Sequence, residues 1–442
     1  MRIAIVGAGI SGLTTAFYLQ KARPDWELYC FDANPRVGGT MHTLERDGFY
    51  FEAGGNGFLT NKPDSLQLVE DAGASDLLLR SSDLTRKRYI YTDQIHRLPE
   101  SPPLFLKSKL LTWPQKLRVA AEVFIPAKRD LQDETLQSFG YRRVGKAMTD
   151  VFLDAMTAGI YGTTPDRISV EAAFPLVVKL EREHGGLFRG MMARRKSQAG
   201  PGGVLTSFHH GVQTFIDYLH GHLRAHWYLG QAVHEIVRDG NAFRVRSDAQ
   251  EIQVDQVIVS SPAYAAAEML KSLDPTLAEQ ISHIGYSPIA VVGLGWHELD
   301  HPLDGFGLLT TTSAKMPVLG ILWESSVFPD RAPEGKKCVR VMIGGQRSPE
   351  LVNQDESGLL ETARRGLELT MGITKTPDVH VVQRWDRGIP CYPVGHLSAM
   401  ERLFAEVGKY PGLHLCNNAY YGVSMNDCAR NGRLLAEKIT AL

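Results

Sequence analysis

Two periods of apolar and polar residues run along this chain, and they predict its elements. Arg2-Ile3-Ala4-Ile5-Val6 is a short apolar run with β-branched residues, the pattern of a strand buried on both faces. Leu13 to Leu19 carries apolar residues at helical spacing, and Glu27 to Phe31 is a second strand that ends at Asp32. Phe49 to Phe58 reads as a strand running into a glycine-rich turn. A long helical stretch extends to about Leu180, with a Gly-Ile-Tyr-Gly turn at Gly159 to Gly162. A helix over Val212–Leu223 is followed by alternating runs at 232–237, 243–245 and 252–254, then by a buried strand at 256–260. Ser261-Pro262-Ala263 starts another helix. Residues 285–347 read as sheet, in runs at 289–294, 307–310, 318–323 and 338–343. Val352–Met371 reads as helix, 380–385 as a returning strand and Asn426–Thr440 as a closing helix.

The chemistry begins at the first turn. Gly7-Ala8-Gly9-Ile10-Ser11-Gly12 stands between the first strand and the first helix. Gly7 permits the tight turn, Gly9 lets a pyrophosphate approach the backbone, and Gly12 lets the helix pack closely on the strand. The helix N-terminus offers its unpaired N–H groups to phosphate. Asp32 lies twenty residues beyond Gly12, at a strand end, where a carboxylate accepts hydrogen bonds from ribose hydroxyls. These residues define a dinucleotide site. The backbone of Gly54-Gly55-Asn56-Gly57 is poor in side chains and suited to lie against a flat ring system.

Composition narrows the field. The chain has 442 residues, enough for two or three domains, with 43% apolar and 22% charged residues and a net charge of −1. Nothing in it resembles a nucleic-acid module. Five scattered cysteines without a C-x-x-C pair point to a reducing compartment and to no metal site. The strand at residue 2 leaves no room for a signal peptide, and no apolar run reaches the length of a membrane span, so a cytoplasmic protein is expected. Residues 86–129 change character, with ten Lys or Arg against three Asp or Glu, interleaved with Leu104, Phe105, Leu106 and Trp113. Residues 186–196 again mix apolar and basic positions. Such segments lie in a membrane interface or form a core helix with a solvated basic face.

Arg36-Val37-Gly38-Gly39-Thr40, just beyond Asp32, resembles the extended motif of FAD enzymes of the glutathione-reductase type, in the amine-oxidase branch. Over nearly its whole length the chain is similar to the oxygen-dependent protoporphyrinogen oxidase and coproporphyrinogen oxidase family. The resemblance is carried by Arg88-Tyr89-Ile90-Tyr91 with His96-Arg97-Leu98-Pro99, by Gly159-Ile160-Tyr161-Gly162, and by Phe174-Pro175 with Glu181. Gly305-Phe306-Gly307-Leu308-Leu309 and Met342-Ile343-Gly344-Gly345 add to it. Most specific are Ile389-Pro390-Cys391-Tyr392 with Gly395-His396, and Tyr421 to Cys428 with Asn431-Gly432.

The resemblance implies a fold that is α/β with α+β. A discontinuous FAD-binding Rossmann-like domain would occupy 1–60, 203–262 and 380–442. A mixed-sheet substrate domain would occupy 61–92 and 263–379, and a helical, membrane-docking domain 93–202. It implies flavin-mediated oxidation of a porphyrinogen in haem biosynthesis, with O2 as acceptor and H2O2 as product. The flavin N5 takes the hydride, and no catalytic side chain or metal is required. Arg88 would pair with a propionate, the Gly159 carbonyl would face the pyrrole N–H groups, and Phe306, Leu309 and Met342 would wall the macrocycle. Non-covalent FAD would be held by Gly7, Gly9, Ile10, Ser11, Gly12, Asp32, Ala33, Arg36, Gly38, Gly39, Thr40, Gly54, Gly55, Asn56, Gly57, Val233, Trp385, Asn417, Val423, Ser424 and Met425. The implied partners are the porphyrinogen, O2, a membrane surface bound peripherally, a second copy of the chain and a ferrochelatase that takes the product.

Four positions depart from the family pattern. Asp32 replaces the commoner Glu, and Asn417 stands where Gly is usual near the flavin phosphates. His209-His210-Gly211 replaces an Arg/Gly-Gly stretch, and Cys391 replaces Gln. Asn417 and His210 bear on FAD affinity, and Pro390-Cys391-Tyr392 raises covalent flavin attachment against a buried thiol. Two rival readings stay open: an amine oxidase or desaturase on the same scaffold, with Tyr392 and Tyr420 or Tyr421 as flanking rings, and a non-catalytic FAD-stabilised partner of a haem enzyme.

Overall fold

The first apolar run forms the centre of a parallel sheet. In the computed structural model, which describes residues 1–130, 132–197 and 203–441, five strands lie in the order His226–Leu229, Glu27–Asp32, Arg2–Val6, Gln256–Val259, Leu413–Leu415. All are parallel, with Ile5 beside Cys30 on one side and Ile258 on the other. The strands therefore come from three separate stretches of chain. One face packs on the helices Ile10–Ala22, Val212–His222 and Met425–Thr440 through Leu13, Phe215 and Ile439. The other packs on the antiparallel meander of residues 233–254 and the helix Ala263–Leu270.

A second, seven-stranded sheet has the order Val379–Pro390, Tyr286–Trp296, Lys337–Gly344, Gly320–Leu322, Gly307–Thr310, Arg88–Tyr91, Ile95–Arg97. It is antiparallel except where Gly307–Thr310 runs parallel to Arg88–Tyr91. One face is sealed by the helix Glu356–Met371 through Leu359, Ala363 and Leu367. The helices of residues 102–197 form a third part, in contact with the second sheet at Ala158.

Three readings are corrected. The strand expected at 380–385 is longer, running over Val379–Pro390, and pairs with Tyr286–Trp296; the chain rejoins the parallel sheet at Leu413. Its exposed Arg384, Asp386 and Arg387 suit the edge of an antiparallel sheet and would be costly inside a parallel one. The helix expected from Val352 begins at Glu356, because Asp355 caps it by accepting from the Gly358 N–H at 2.8 Å. The Gly-Ile-Tyr-Gly stretch is the last turn of the helix Asp154–Tyr161, closed by left-handed Gly162.

Ion pairs buried between the parts tie them together. Arg331 meets Glu52 at 3.1 Å, with both side chains fully buried, and Arg347 meets Asp154 at 3.0 Å. Asp154 also accepts from the Thr312 N–H and hydroxyl, which fixes the helix carrying Gly159 to the second sheet.

Candidate active site

At the carboxyl ends of the parallel strands, where ligands of such sheets bind, lies a cavity of about 480 Å³. Its wall includes the candidates Gly7, Gly9, Ile10, Ser11, Asp32, Ala33, Gly38, Gly39, Thr40, Gly55, Gly57, Val233, Trp385, Asn417, Val423, Ser424 and Met425. Two helices begin there. Ile10–Ala22 starts at Gly9, which has no side-chain cap, so its first N–H groups are free for a ligand. Met425–Thr440 starts at Ser424, whose hydroxyl accepts from the Asp427 N–H at 3.2 Å. The two helices pack closely where Gly432 meets the Ser11 carbonyl.

The glycine roles follow from what a side chain would meet. A Cβ on Gly12 would stand 2.1 Å from the Gly7 carbonyl oxygen, and one on Gly7, at φ +107°, 2.6 Å from the Ser261 nitrogen. At Gly9 the nearest atom would be 4.0 Å away, leaving room over the backbone for a phosphate. Asp32 is held ready: its carboxylate accepts from the Ala8 N–H at 2.9 Å and the Asn34 N–H at 2.8 Å. The hydroxyls of Ser260 and Ser261, also in the wall, are buried without a hydrogen-bond partner among the described residues. Orphaned buried hydroxyls, free helix N–H groups and a waiting carboxylate fit a dinucleotide.

Four candidates do not reach the cavity. Gly12 supports the turn from behind, and Gly54 lies against the Thr40 carbonyl. Arg36 is half-buried and folds back to donate to the Gly39 carbonyl at 3.0 Å, bracing the Gly38-Gly39 turn. The Asn56 amide turns away to Arg340 and Glu324. Sequence reasoning also missed wall residues, chiefly Ser260, Ser261, Tyr264, Tyr286 and Arg387. The strand-end rule pointed to the two serines. The tyrosines and Arg387 arrive from other elements and carried no local signal.

The departures from the family pattern also find their places. The Asn417 side chain donates to the Ser261 carbonyl and accepts from the Ala419 N–H at 2.7 Å, so both ends of its amide are used in the protein. His210, at φ +62°, lies outside the cavity wall, its N–H bound to Asp330 at 2.8 Å. Cys391 is also outside the wall. Its sulfur accepts from the Gln346 amide at 2.8 Å and lies 3.5 Å from the Ser287 hydroxyl, and burial raises its pKa. Cys428 is in the wall, but burial pushes its thiol up to about 11.

The other candidates gather on the second sheet. None of Arg88, Gly159, Phe306, Leu309 and Met342 lines the cofactor cavity. Leu309, Gly320 and Met342 stand in one row across three strands, and the bare Gly320 lets the two side chains converge. Gly159 faces Leu309 so closely that a Cβ there would lie 2.9 Å from it. On the strand next to the sheet edge Arg88 is exposed, with its guanidinium 5.2 Å from the centre of the Phe306 ring. Trp385 links the two regions. It lines the cavity, donates to the Ala53 carbonyl at 2.8 Å, and pairs with Ile289, which packs with Ala158, Leu319 and Met342.

A parallel sheet with a dinucleotide cavity, wedged against a second sheet with an apolar face, defines a class of flavoprotein. The chain belongs to the flavin-containing amine oxidoreductase family, which it matches over residues 10–440. It is a flavoprotein oxidase, and its cofactor is FAD. Among its relatives, a coproporphyrinogen III oxidase of Bacillus subtilis (strain 168) is 28% identical over 98% of this chain and 96% of its own length. A chloroplastic protoporphyrinogen oxidase of Nicotiana tabacum is 27% identical over 99% and 85%. A crystal structure from Exiguobacterium sp. 255-15, provisionally assigned as a protoporphyrinogen oxidase, covers all of this chain and 98% of its own. Its TM-score is 0.88 at 26% identity.

Proposed function

We propose that this protein oxidises a porphyrinogen, protoporphyrinogen IX or coproporphyrinogen III, to the porphyrin, with O2 as acceptor and H2O2 as product, in haem biosynthesis. The observation that carries the reading is the apolar face of Gly159, Leu309 and Met342, joined to the cavity through Ile289 and Trp385 and bordered by Arg88 over Phe306. A large apolar macrocycle with carboxylate arms needs such a face and a cation at its rim. When bound, FAD supplies the two-electron acceptor. The chain's own residues orient and enclose: the Gly159 carbonyl is directed to pyrrole N–H groups, Leu309 and Met342 exclude water, and Arg88 takes a propionate.

Family membership alone also allows an amine oxidase. The rings which that reading would use, like the porphyrinogen candidates, do not line the cavity. Tyr392 and Tyr420 are buried and outside the cavity wall, and Tyr421 stacks on Phe404 at 5.5 Å. The FAD-binding, substrate and helical parts serve as domains in this reading, and the helical part docks on the cytoplasmic face of a membrane. Supporting this, Trp113, Leu117, Phe124, Met191 and Met192 are exposed there, and among the described residues no helix is long and apolar enough to cross a membrane. A homodimer and product transfer to a ferrochelatase complete the proposal.

The test is porphyrin fluorescence and catalase-sensitive peroxide release from FAD-loaded protein in air, with the two porphyrinogens and a panel of amines in parallel. Acceleration with one porphyrinogen is expected, and the ratio of rates names the substrate. Turnover of amines alone would replace the proposal with the amine-oxidase reading.

A further inference from the structure

The loop of residues 54–57 reaches the cavity wall at Gly55 and Gly57, yet three of its four residues are glycines. Glycine backbone is the most costly to order, and a loop with a single side chain, Asn56, has little with which to anchor itself. Its anchor comes from the second sheet. Arg340, on the strand Lys337–Gly344, is 4% exposed. One terminal nitrogen donates to the Glu52 carbonyl at 2.9 Å and to the Gly54 carbonyl, and the other donates to the Asn56 side-chain oxygen. Its Nε lies 2.8 Å from the fully buried Glu324 carboxylate. The other Glu324 oxygen accepts from the Asn56 amide at 3.5 Å. Arg340, Glu324 and Asn56 thus close a triangle beneath the loop. Met342, two residues further along the same strand, belongs to the apolar face described above.

We propose that Arg340 is a positioning residue for the cofactor: its guanidinium fixes the Glu52–Gly57 backbone from the substrate-side sheet and so sets the cavity wall against the flavin. Only a planar fork of donors serves two carbonyls and an amide at once, and Lys has a single ammonium at the end of a flexible stem. Glu324 neutralises the buried cation, without which the arrangement would carry an unpaired charge. Asn56, the one side chain of the loop, is spent on this triangle rather than on the cavity. The inference rests on FAD occupying the cavity, which family membership gives, and is independent of which substrate the enzyme oxidises.

Three variants test it: Arg340→Lys, Arg340→Met with Glu324→Gln, which removes both charges together, and Asn56→Ala. FAD affinity, the visible flavin absorption bands and the flavin midpoint potential are read beside thermal unfolding of the apoprotein. Arg340→Lys and the double variant are expected to unfold cooperatively near the wild-type temperature. They should bind FAD about tenfold more weakly, with shifted flavin bands and potential, and Asn56→Ala about threefold more weakly. FAD affinity, bands and potential unchanged in all three would overturn the proposal. Loss of cooperative apoprotein unfolding in Arg340→Lys and the double variant would also overturn it, making Arg340 a folding residue alone. No porphyrinogen enters these readings, so they stand or fall apart from the proposed substrate.

Discussion

Arg88 and Lys87 are neighbours with opposite fates. The Lys87 ammonium is paired with Asp304 at 2.6 Å, while Arg88 is exposed above the Phe306 ring. Arg88→Ala should therefore leave FAD content and thermal stability unchanged and raise the Michaelis constant for the porphyrinogen about tenfold, the loss of one charge-assisted contact. An unchanged Michaelis constant with both porphyrinogens would remove Arg88 from its proposed role. His414 gives a residue-scale test of stability. It is buried on the strand Leu413–Leu415, its Nε2 is 2.8 Å from the Gln256 side-chain oxygen, and burial, with Lys438 adding to it, holds its pKa down to about 4. The unfolded chain takes up this proton near pH 6.5 and the folded protein near pH 4. Stability from this group is thus complete above pH 6.5 and falls as pH drops towards 4, by at most about 3 kcal/mol. His414→Gln should flatten the slope of unfolding free energy against pH between 6.5 and 4, measured by denaturant titration. A slope equal to the wild type would contradict the assignment.

At the scale of elements, the first helix depends on one missing side chain. Because a Cβ on Gly12 would meet the backbone carbonyl of Gly7 rather than a flexible side chain, the helix start itself must move. Gly12→Ala should cost about 1–3 kcal/mol and release FAD on gel filtration, whereas Gly432→Ala, with its nearest contacts at 3.0 Å, should cost less. Retention of full FAD by Gly12→Ala would show that the turn has slack the structure does not contain. The same turn shows why the dinucleotide element was legible in the sequence. Strand, glycines, helix and acid lie within one continuous stretch, and each has a local reason to be there. The strand Val379–Pro390 was not assigned to its sheet in advance. A run alternating Val381, Gln383 and Trp385 states that a strand exists and leaves its partner to be decided by distant residues.

At the scale of the whole molecule, buried ion pairs link segments that are far apart in the chain, and each carries the cost of taking charge out of water. Glu52 illustrates the balance: burial pushes its carboxyl up to about 7, against the pull of Arg331 beside it. A fully buried side chain accepting from the Val212 N–H and the Thr43 hydroxyl cannot lose its partner cheaply, so Arg331→Met should destabilise the protein by about 3–5 kcal/mol. The companion variant Arg331→Met with Glu52→Gln should recover part of that loss in thermal unfolding. No recovery would show that the pair is not coupled. The outer surface of the helical part makes a different prediction. Phe124 is 82% exposed and Trp113 63% exposed, so replacing both by Ser should leave the melting temperature unchanged. Their joint loss should weaken co-sedimentation with anionic lipid vesicles several-fold. Equal sedimentation would take these side chains out of the proposed membrane contact.

The sequence alone determined the parts whose cause is local. The dinucleotide turn, the amphipathic helices, the alternating strands and the basic, apolar stretch of residues 86–129 each follow from neighbouring residues and a fixed period. What it left open depends on contacts between distant residues. Arg36 and Asn56 sit beside cofactor glycines in the chain yet turn into the protein, because backbone carbonyls and buried charges nearby claim their donors first. Ser261, Tyr264, Tyr286 and Arg387 come to the cavity only when separate elements close on the parallel sheet. Whether Arg340 points to core, substrate or loop is undecidable from Val339-Arg340-Val341. The pairing of its strand and the position of Glu324 settle it, since a buried guanidinium goes where its charge is paired and its terminal nitrogens find acceptors.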